Sequence, residues 1–310
     1  MSFFKPGALR RLRPACLALL LAGCTLIPPG TLRDTEHPLA GRLWDVAAQT
    51  FTDETELLRR AASAEALLLG ETHDNPEHHR LQAKVLQARL AAGARPALLM
   101  EQFDVGQQAA IDEARKAGKD PAALMRGWDG TLYQPLVALA DRAQLPLRAA
   151  NLPRDTTRPI VREGFATLAV GEQRRLGLLA VWDETREAYM AGLIEASHCG
   201  MISPQTRDGL VRAQRLRDAT LADSALDQLD QGVVFILGRG HARRDVAVPR
   251  YLEARRPGTR VLSVGFVEVG AGMTAPTQYE TERIGGIAPF DILWFTPRAE
   301  RTDPCLAYGK

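Results

Sequence analysis

Short apolar runs alternate with longer amphipathic segments along most of this chain. Runs of four to eight apolar residues without polar alternation are typical of strands that are buried on both faces. Helical patterns such as residues 106–118 separate several of these runs. The pattern predicts an α/β fold in which helices flank a mostly parallel central sheet. The predicted strands lie within residues 66–70, 96–103, 145–152, 232–238, 260–269 and 291–295.

One long interval has no strand pattern. Residues 171–230 contain two long helical segments, which predict a helical insertion in the domain. Residues 131–144 form another helical pattern that could join it. The folded domain is expected to span residues 42–298, with a Pro- and Gly-rich tether at 24–41 and a C-terminal tail at 299–310.

The N-terminus has the features of an export signal. Basic residues precede the apolar run ACLALLLAG, which is too short to span a bilayer, so residues 1–23 are expected to be a signal peptide. The sequence LAGC at residues 21–24 resembles a bacterial lipobox, in which Cys24 would carry fatty acids such as palmitate. Thr25 favours the outer membrane, facing the periplasm, over inner-membrane retention. The alternative is an ordinary secretory signal that contains a cysteine.

Charge excludes one class of partner. The chain has 39 Lys and Arg against 37 Asp and Glu, and four of the basic residues lie among the first 23, which contain no acid. The remainder is therefore slightly acidic, and nucleic acid is not an expected partner.

Of the four cysteines, Cys199 and Cys305 remain after the signal and the lipidation site. The sequence leaves open whether they form a disulfide in an oxidising compartment or stay as distant free thiols.

Polar residues follow the first predicted strand in the segment ALLLGETHDNPEHHR, residues 66–80. Glu71 and His73 come directly after the apolar run. Asp74 or Asn75 can cap the next helix, which places His78 and His79 in its first turn. The pattern therefore predicts three imidazoles close together at one edge of the sheet.

The same order of residues recurs far along the chain. Residues 70–73 and 238–241 both have the pattern G-x-x-H after an apolar strand. Since ligands collect beyond the carboxyl ends of parallel strands, His73 and His241 are predicted to lie at one edge. Glu101 is a third polar group at a strand end, and Arg148 and Asn151 are further candidates. A dinucleotide fingerprint is excluded, because its third glycine would fall at position 243, which is Arg.

These residues allow more than one chemistry. His73, His241, Glu71 and Glu101 together offer two nitrogens and two carboxylates, which suits Zn²⁺ or Mn²⁺ with an open water position. One glutamate would then be the general base of a metal-dependent hydrolase, a protease or an esterase. A third hypothesis needs no metal: the strand-end groups bind a peptide or a sugar, or stabilise the sheet edge.

Seven segments, in order, resemble the ChaN family of haem-binding lipoproteins. This family belongs to a wider set with Tiki, TraB and erythromycin-esterase-like proteins. The resemblance covers roughly residues 40 to 298. The segments are LLGETHDNPEHHRLQ, LLMEQFD, LYQPLVALA, LRAANLPR, HCGMISP, AQRLRDATLAD and ILGRGHARRDVAVPRYL.

The resemblance implies a haem-binding protein of haem or iron uptake rather than an enzyme, with a three-layer α/β core. It also implies haem bound between subunits, hence a homodimer, and an outer-membrane haem receptor or periplasmic carrier as delivery partner. A haem site needs an apolar slot, an axial ligand and cations for the propionates. Tyr133 is the favoured axial candidate and Tyr189 the second. The other candidate haem-binding residues are His73, His78, His79, His241, Arg239, Arg243 and Arg244.

Overall fold

A computed structural model describes residue 1, residues 31–303 and residues 305–306 of the chain. The strands in this part are β1 (Leu32–Arg33), β2 (Leu43–Asp45), β3 (Thr50–Thr52), β4 (Ala66–Glu71), β5 (Ala97–Asp104), β6 (Leu147–Asn151), β7 (Val233–Gly238), β8 (Val261–Glu268), β9 (Ile292–Thr296) and β10 (Arg298–Ala299). The helices are α1 (Glu54–Ser63), α2 (Pro76–Ala91), α3 (Gln108–Lys116), α4 (Gly130–Arg142), α5 (Arg154–Glu163), α6 (Val170–Arg175), α7 (Glu184–Ser197), α8 (Pro204–Asp223) and α9 (Val248–Arg255).

Eight strands form one sheet in the order β3-β2-β9-β8-β4-β7-β5-β6. The six strands from β9 to β6 run parallel, while β2 and β3 are antiparallel additions at one side. Every residue of β4 and of β7 is buried. This confirms the predicted α/β fold with a mostly parallel central sheet, and continuous apolar runs mark its strands because helices cover both faces.

Alternate residues of the central strands pack into different helical layers. Leu68 faces a core shared with α8 and α9, whereas Leu67 and Leu69 face a core shared with α1, α2 and α4. This period of two fixes which face each helix covers. Helix α4, which the sequence suggested as a member of the helical insertion, instead packs against α2. It therefore lies on the face of the sheet opposite to α8.

Helices and short turns alone connect β6 to β7 within the described residues. Helix α8 is the longest of them, and it packs against α5, α7 and α9. Its inward face carries Asp218, which is 1% exposed. The helical layer therefore brings a carboxylate to the sheet. None of the helices in the part of the chain described here is long and apolar enough to cross a membrane.

Both ends of the described chain meet at one place. Strand β1 pairs with β10, and Leu39 is buried. Residues 31–41, which the sequence analysis included in the tether, therefore pack against the domain. The tail is also held, because Cys305 forms a disulfide with Cys199 in the loop between α7 and α8. The signal peptide and Cys24 lie outside the described residues.

Candidate functional site

The carboxyl ends of β4, β7 and β5 lie side by side, because these strands are neighbours in the sheet. Glu71 at the end of β4 pairs in register with Gly238 at the end of β7. Glu101 of β5 reaches the same place, where its Oε2 accepts a hydrogen bond from the Gly238 N–H at 2.6 Å. The structure therefore places His73 and His241, which follow these strand ends, at one edge of the sheet.

The Glu71 carboxylate is the centre of a buried hydrogen-bond network. Its Oε1 accepts hydrogen bonds from the Tyr133 hydroxyl at 2.6 Å and from Gln102 Nε2 at 3.2 Å. Its Oε2 accepts from Gln82 Nε2 at 2.6 Å. His73 Nδ1 lies 2.9 Å from Oε1, which fixes the orientation of that imidazole. Four side chains, which come from α2, α4, β5 and the loop after β4, thus form hydrogen bonds with one carboxylate.

His73 is the partly exposed member of this network, since 41% of its side chain is accessible. Trp128 packs edge-on against its ring at a centroid distance of 4.7 Å. A Cβ atom at Gly238 would lie 2.9 Å from His73 Nε2, so a side chain there would collide with the imidazole. Although burial alone would lower the pKa of His73, the hydrogen bond to Glu71 and the charge of Glu101 raise it.

The other two histidines of this segment are buried and bonded within the fold. His78 Nδ1 accepts a hydrogen bond from the Thr72 N–H, and its Nε2 donates to Thr296 Oγ1, each at 2.8 Å. His79 Nε2 donates to the His73 carbonyl at 3.0 Å, and its ring packs against Tyr133. Neither imidazole is placed to meet a haem, in contrast to the expectation from the sequence.

The protonation of His78 predicts a pH dependence of stability. Burial lowers its pKa from 6.5 to about 3. Between these values the unfolded chain binds a proton that the folded chain does not, so stability falls as the pH falls. The contribution of His78 to this loss from pH 7 to pH 5 is about 2 kcal/mol, and the raised pKa values of His73 and His241 act in the opposite direction. The contribution is therefore measured as the difference between the wild type and His78→Asn in urea unfolding at both pH values. His78→Asn keeps an acceptor and should remove this loss, and equal losses in the two proteins would contradict the assignment.

Tyr133 also lies inside the fold. Its side chain is 1% exposed and its hydroxyl is bonded to Glu71. Burial, together with the charge of Glu71, raises the pKa of the phenol far above its ordinary value. A phenolate ligand for ferric iron requires the opposite shift. The structure therefore places the favoured axial candidate where it stabilises the Glu71 network instead of facing a ligand.

A second buried network surrounds His241. Its Nδ1 lies 2.6 Å from Asp218 Oδ1, and its Nε2 lies 3.5 Å from Glu101 Oε1. Burial raises the pKa of Asp218. Burial alone would lower the pKa of His241, but the charges of Glu101 and Asp218 raise it. The imidazole is thus held between two carboxylates, and Asn151 donates to the Glu101 carbonyl beside them.

The arginines after β7 have different environments. Arg243 is buried, and it forms a bidentate ion pair with Asp245 at 2.6 and 3.0 Å while stacking on the Tyr189 ring. Arg244 pairs with Asp291 at 2.6 Å. Neither guanidinium group is free to bind a haem propionate, although the sequence analysis expected both to do so. Arg239 is exposed, and no carboxylate of the described residues lies within ion-pair distance of it.

The residues expected to hold Zn²⁺ or Mn²⁺ do not form a metal site. Within residues 31–303 and 305–306, no group of three His, Cys, Asp or Glu side chains is placed to hold a metal ion. Both imidazoles direct Nδ1 to a carboxylate, His73 to Glu71 and His241 to Asp218. The geometry therefore does not support the metal-dependent hydrolase that the sequence left as an alternative.

Sequence reasoning missed several members of this site. Asp218 and Gln82 lie on the inward faces of α8 and α2. In the sequence, the only indication of their role is that each is a polar residue among the apolar residues of a helix. Gln102 follows Glu101 within the apolar run of β5. Trp128 lies in a loop whose sequence predicts no particular partner. The buried polar residues of the two helices could have been found by requiring each to have a hydrogen-bond partner.

Comparison with known proteins agrees with this architecture. The family model described as haem-binding uptake, Tiki superfamily, ChaN matches residues 57–252. The structure of ChaN of Campylobacter jejuni with cofacially bound haem has a TM-score of 0.65 and 18% identity, covering 81% of this chain and 95% of that one.

Two further solved structures are more distant. The type III effector HopBA1 has a TM-score of 0.43 and 15% identity, covering 88% of this chain and 99% of that one. A mutant of the erythromycin esterase EreC in its open conformation has a TM-score of 0.42 and 16% identity, covering 84% and 83%. No curated protein matches the chain. The family model matches more than half of this chain. The chain therefore belongs to the haem-binding uptake family of the Tiki superfamily that includes ChaN.

Proposed function

We propose that this protein binds haem at the carboxyl-terminal edge of its sheet and takes part in haem or iron uptake as a lipid-anchored protein. The family supports haem as the ligand, and the C. jejuni relative is described with cofacially bound haem. The observation that carries the proposal is the state of His73, which Glu71 holds through Nδ1 while its ring remains partly exposed. A carboxylate behind an imidazole is the usual support of a metal-binding histidine.

Two neighbours of His73 provide groups that suit a haem. Trp128 provides an aromatic surface against the imidazole, and Arg239 provides an exposed cation one residue after Gly238. Arginine pairs well with carboxylates such as propionates. Tyr189 is half-buried beside Arg243 and is the second candidate for the iron. His73 is preferred because a deprotonated tyrosine is disfavoured here, since burial raises the pKa of Tyr189.

The quaternary state and the anchor complete the proposal. A site on the surface of one subunit leaves one face of a flat macrocycle uncovered, so a second copy of this chain is proposed to cover it. Acylation of Cys24 is proposed to hold the protein at the outer membrane, facing the periplasm, where an outer-membrane receptor would supply haem. Several acyl chains are enough for stable anchoring.

Titration of the purified protein with haemin tests the proposal. The wild type should develop a Soret band with saturable stoichiometry. His73→Ala should shift this band and weaken binding about tenfold or more, because the iron loses its fixed imidazole. Arg239→Ala should weaken binding without moving the band, since it contacts only the propionates.

Two matched variants serve as controls for this titration. His198→Ala removes an exposed imidazole that bonds only to Ser197 and Ile194 within the described residues. Lys119→Ala removes an exposed cation at a surface groove of about 930 Å³ that contains none of the site residues. Both should bind haemin like the wild type. A His73→Ala protein with unchanged spectrum and affinity would refute the assignment of the ligand, and absence of a Soret band in the wild type would refute haem binding.

A further inference from the structure

A haem has two propionates, whereas the loop after β7 has one guanidinium group without an ion pair. Arg243 and Arg244 are paired with Asp245 and Asp291, each at 2.6 Å. Of the three arginines in this loop, Arg239 alone has no carboxylate within ion-pair distance in the described part of the chain. A second propionate therefore needs a cation from another element, and α8 brings one to the same edge of the sheet.

This cation is Arg217, which lies at the carboxyl end of β6. Its Nε donates to Asn151 Oδ1 at 3.0 Å, and its Nη1 donates to Gln214 Oε1. Asn151 is the last residue of β6, and its Nδ2 donates to the Glu101 carbonyl at 2.9 Å. Arg217 is therefore joined, through one side-chain amide, to the strand that carries Glu101.

Glu101 also connects this arginine to the imidazole of His73. A Cβ atom at Gly238 would lie 3.5 Å from Glu101 Oε2 and 2.9 Å from His73 Nε2, so the imidazole lies over the end of β7. Strand β5 lies between β7 and β6, which places these two outer strands about 10 Å apart. His73 and Arg217 thus occupy one edge of the sheet on either side of the end of β5.

The guanidinium group of Arg217 is partly exposed and has no paired carboxylate. Both of its acceptors are neutral amide oxygens, and its Nη2 forms no hydrogen bond with the residues that the structure describes. By contrast, Arg215 of the same helix has Glu187 at 3.7 Å. A guanidinium that is held by neutral groups and keeps N–H donors unused is preorganised to bind a carboxylate.

The two buried carboxylates closest in the fold to Arg217 have other partners. Asp218 Oδ1 lies 2.6 Å from His241 Nδ1. Glu101 Oε1 lies 3.5 Å from His241 Nε2, and its Oε2 accepts from the Gly238 N–H. Neither carboxylate forms an ion pair with Arg217. These acids therefore balance the imidazole between them and leave the N–H groups of the arginine available.

Other charges at this edge nearly cancel. Burial raises the pKa of Asp104 at the end of β5, while the charges of three nearby arginines act in the opposite direction. These arginines are Arg217, Arg126 and Arg154. Asp104 and Asp129 offset the charges of Arg126 and Arg154, so the edge as a whole is not strongly basic. Arg217 differs from the other two because hydrogen bonds to neighbouring side chains fix its orientation.

We infer that Arg217, oriented by Asn151 and Gln214, is a carboxylate-binding group that receives one propionate of the haem, while Arg239 receives the other. This assignment rests on the proposed function and deepens it. The macrocycle would be held by His73 at the iron and by one arginine at each propionate, which fixes its rotation within its own plane.

Haemin and its dimethyl ester, which has no free carboxylate, separate a propionate contact from a general effect on binding. In one detergent buffer, Arg217→Gln should weaken haemin binding about tenfold or more, because a charge-assisted hydrogen bond is lost. The Soret band should keep its wild-type position, since His73 is unchanged. The dimethyl ester should bind the variant and the wild type equally. Arg217→Lys keeps the charge without the planar pair of donors and should recover part of the affinity for haemin.

The variant is expected to fold, because Asn151 Oδ1 also accepts a hydrogen bond from the Leu152 N–H at 2.8 Å. Glutarate, a small dicarboxylate, then tests the site without haem. The side-chain amide signals of Asn151 should shift and saturate in NMR spectra when sodium glutarate replaces sodium chloride at constant ionic strength. The same signals should not move in Arg217→Gln. Wild-type signals that stay in place, or that shift equally in the variant, would overturn the carboxylate site.

Arg59→Gln is the matched control. Arg59 is an exposed residue of α1, on the face of the sheet opposite to α8, and it pairs with Glu56. This variant should bind haemin, the ester and glutarate like the wild type. Equal losses of haemin and ester affinity in Arg217→Gln would overturn the assignment to a propionate.

Failure of the proposed function gives a different result. If the wild type shows no Soret band but glutarate still shifts the Asn151 signals in an Arg217-dependent manner, haem binding is refuted and the carboxylate site stands. If the wild type binds haemin and Arg217→Gln binds it with the same affinity, the role of Arg217 is refuted and haem binding stands.

Discussion

Glu71→Ala is expected to lower the free energy of unfolding by about 3–5 kcal/mol, the range for removing one partner from a buried charged network. The carboxylate is buried and accepts hydrogen bonds from Tyr133, Gln82, Gln102 and His73. Alanine would leave these donors without their acceptor in a site that water cannot easily enter, and each unsatisfied group costs about 1–3 kcal/mol. Urea unfolding at pH 7 measures the change.

Glu77→Ala is the matched control. Glu77 lies in the first turn of α2, and its ion pair with Arg80 is exposed on the arginine side. Such a pair contributes at most about 1 kcal/mol. Similar losses from the two variants would contradict the central role of Glu71. Glu71→Gln provides a second readout: the pKa of His73 should fall, since the hydrogen bond and charge that raise it are lost. NMR titration of that imidazole measures this shift.

The sequence was sufficient for the six parallel strands of the sheet because their signal is local, whereas the three-residue strands β2 and β3 were not predicted. Continuous apolar runs mark β4 and β7, and a parallel sheet covered on both faces requires such runs. The shared edge of His73 and His241 followed from the same rule, since the carboxyl ends of parallel strands lie together. The side of the sheet that each helix covers was harder to predict. Helix α4 has an apolar face that would suit either layer, and the alternation of Leu67 and Leu68 into different cores does not reveal which helix covers them.

The roles of individual polar residues depended on contacts between distant segments. His78 and His79 looked like ligands because they are polar and close to His73, but the orientation of α2 turns both rings into the fold. Asp218 reaches His241 only because α8 packs across the sheet close to the end of β7, which His241 follows. Tyr133 meets Glu71 through the packing of α4 on α2. Sequence supplies the residue types, whereas the angle and height at which each helix packs decide which of them meet.

Loss of the disulfide between Cys199 and Cys305 is expected to lower the free energy of unfolding by about 2–5 kcal/mol. The bond joins residues 106 apart, and it connects the loop between α7 and α8 to the tail after β10. Closing so long a loop restricts the unfolded chain strongly, which is the main origin of the stabilisation. In the folded state the tail is already held by Arg301, so little native order is lost with the bond. Urea unfolding of the oxidised protein and of Cys199→Ser measures the difference.

Reduction provides the control for this prediction. Dithiothreitol should lower the stability of the wild type to that of Cys199→Ser and leave the variant unchanged, and Cys305→Ser should behave like Cys199→Ser. If the variant is as stable as the oxidised wild type, the cross-link does not constrain the unfolded chain. If dithiothreitol also destabilises the variant, the reductant acts elsewhere than at this bond.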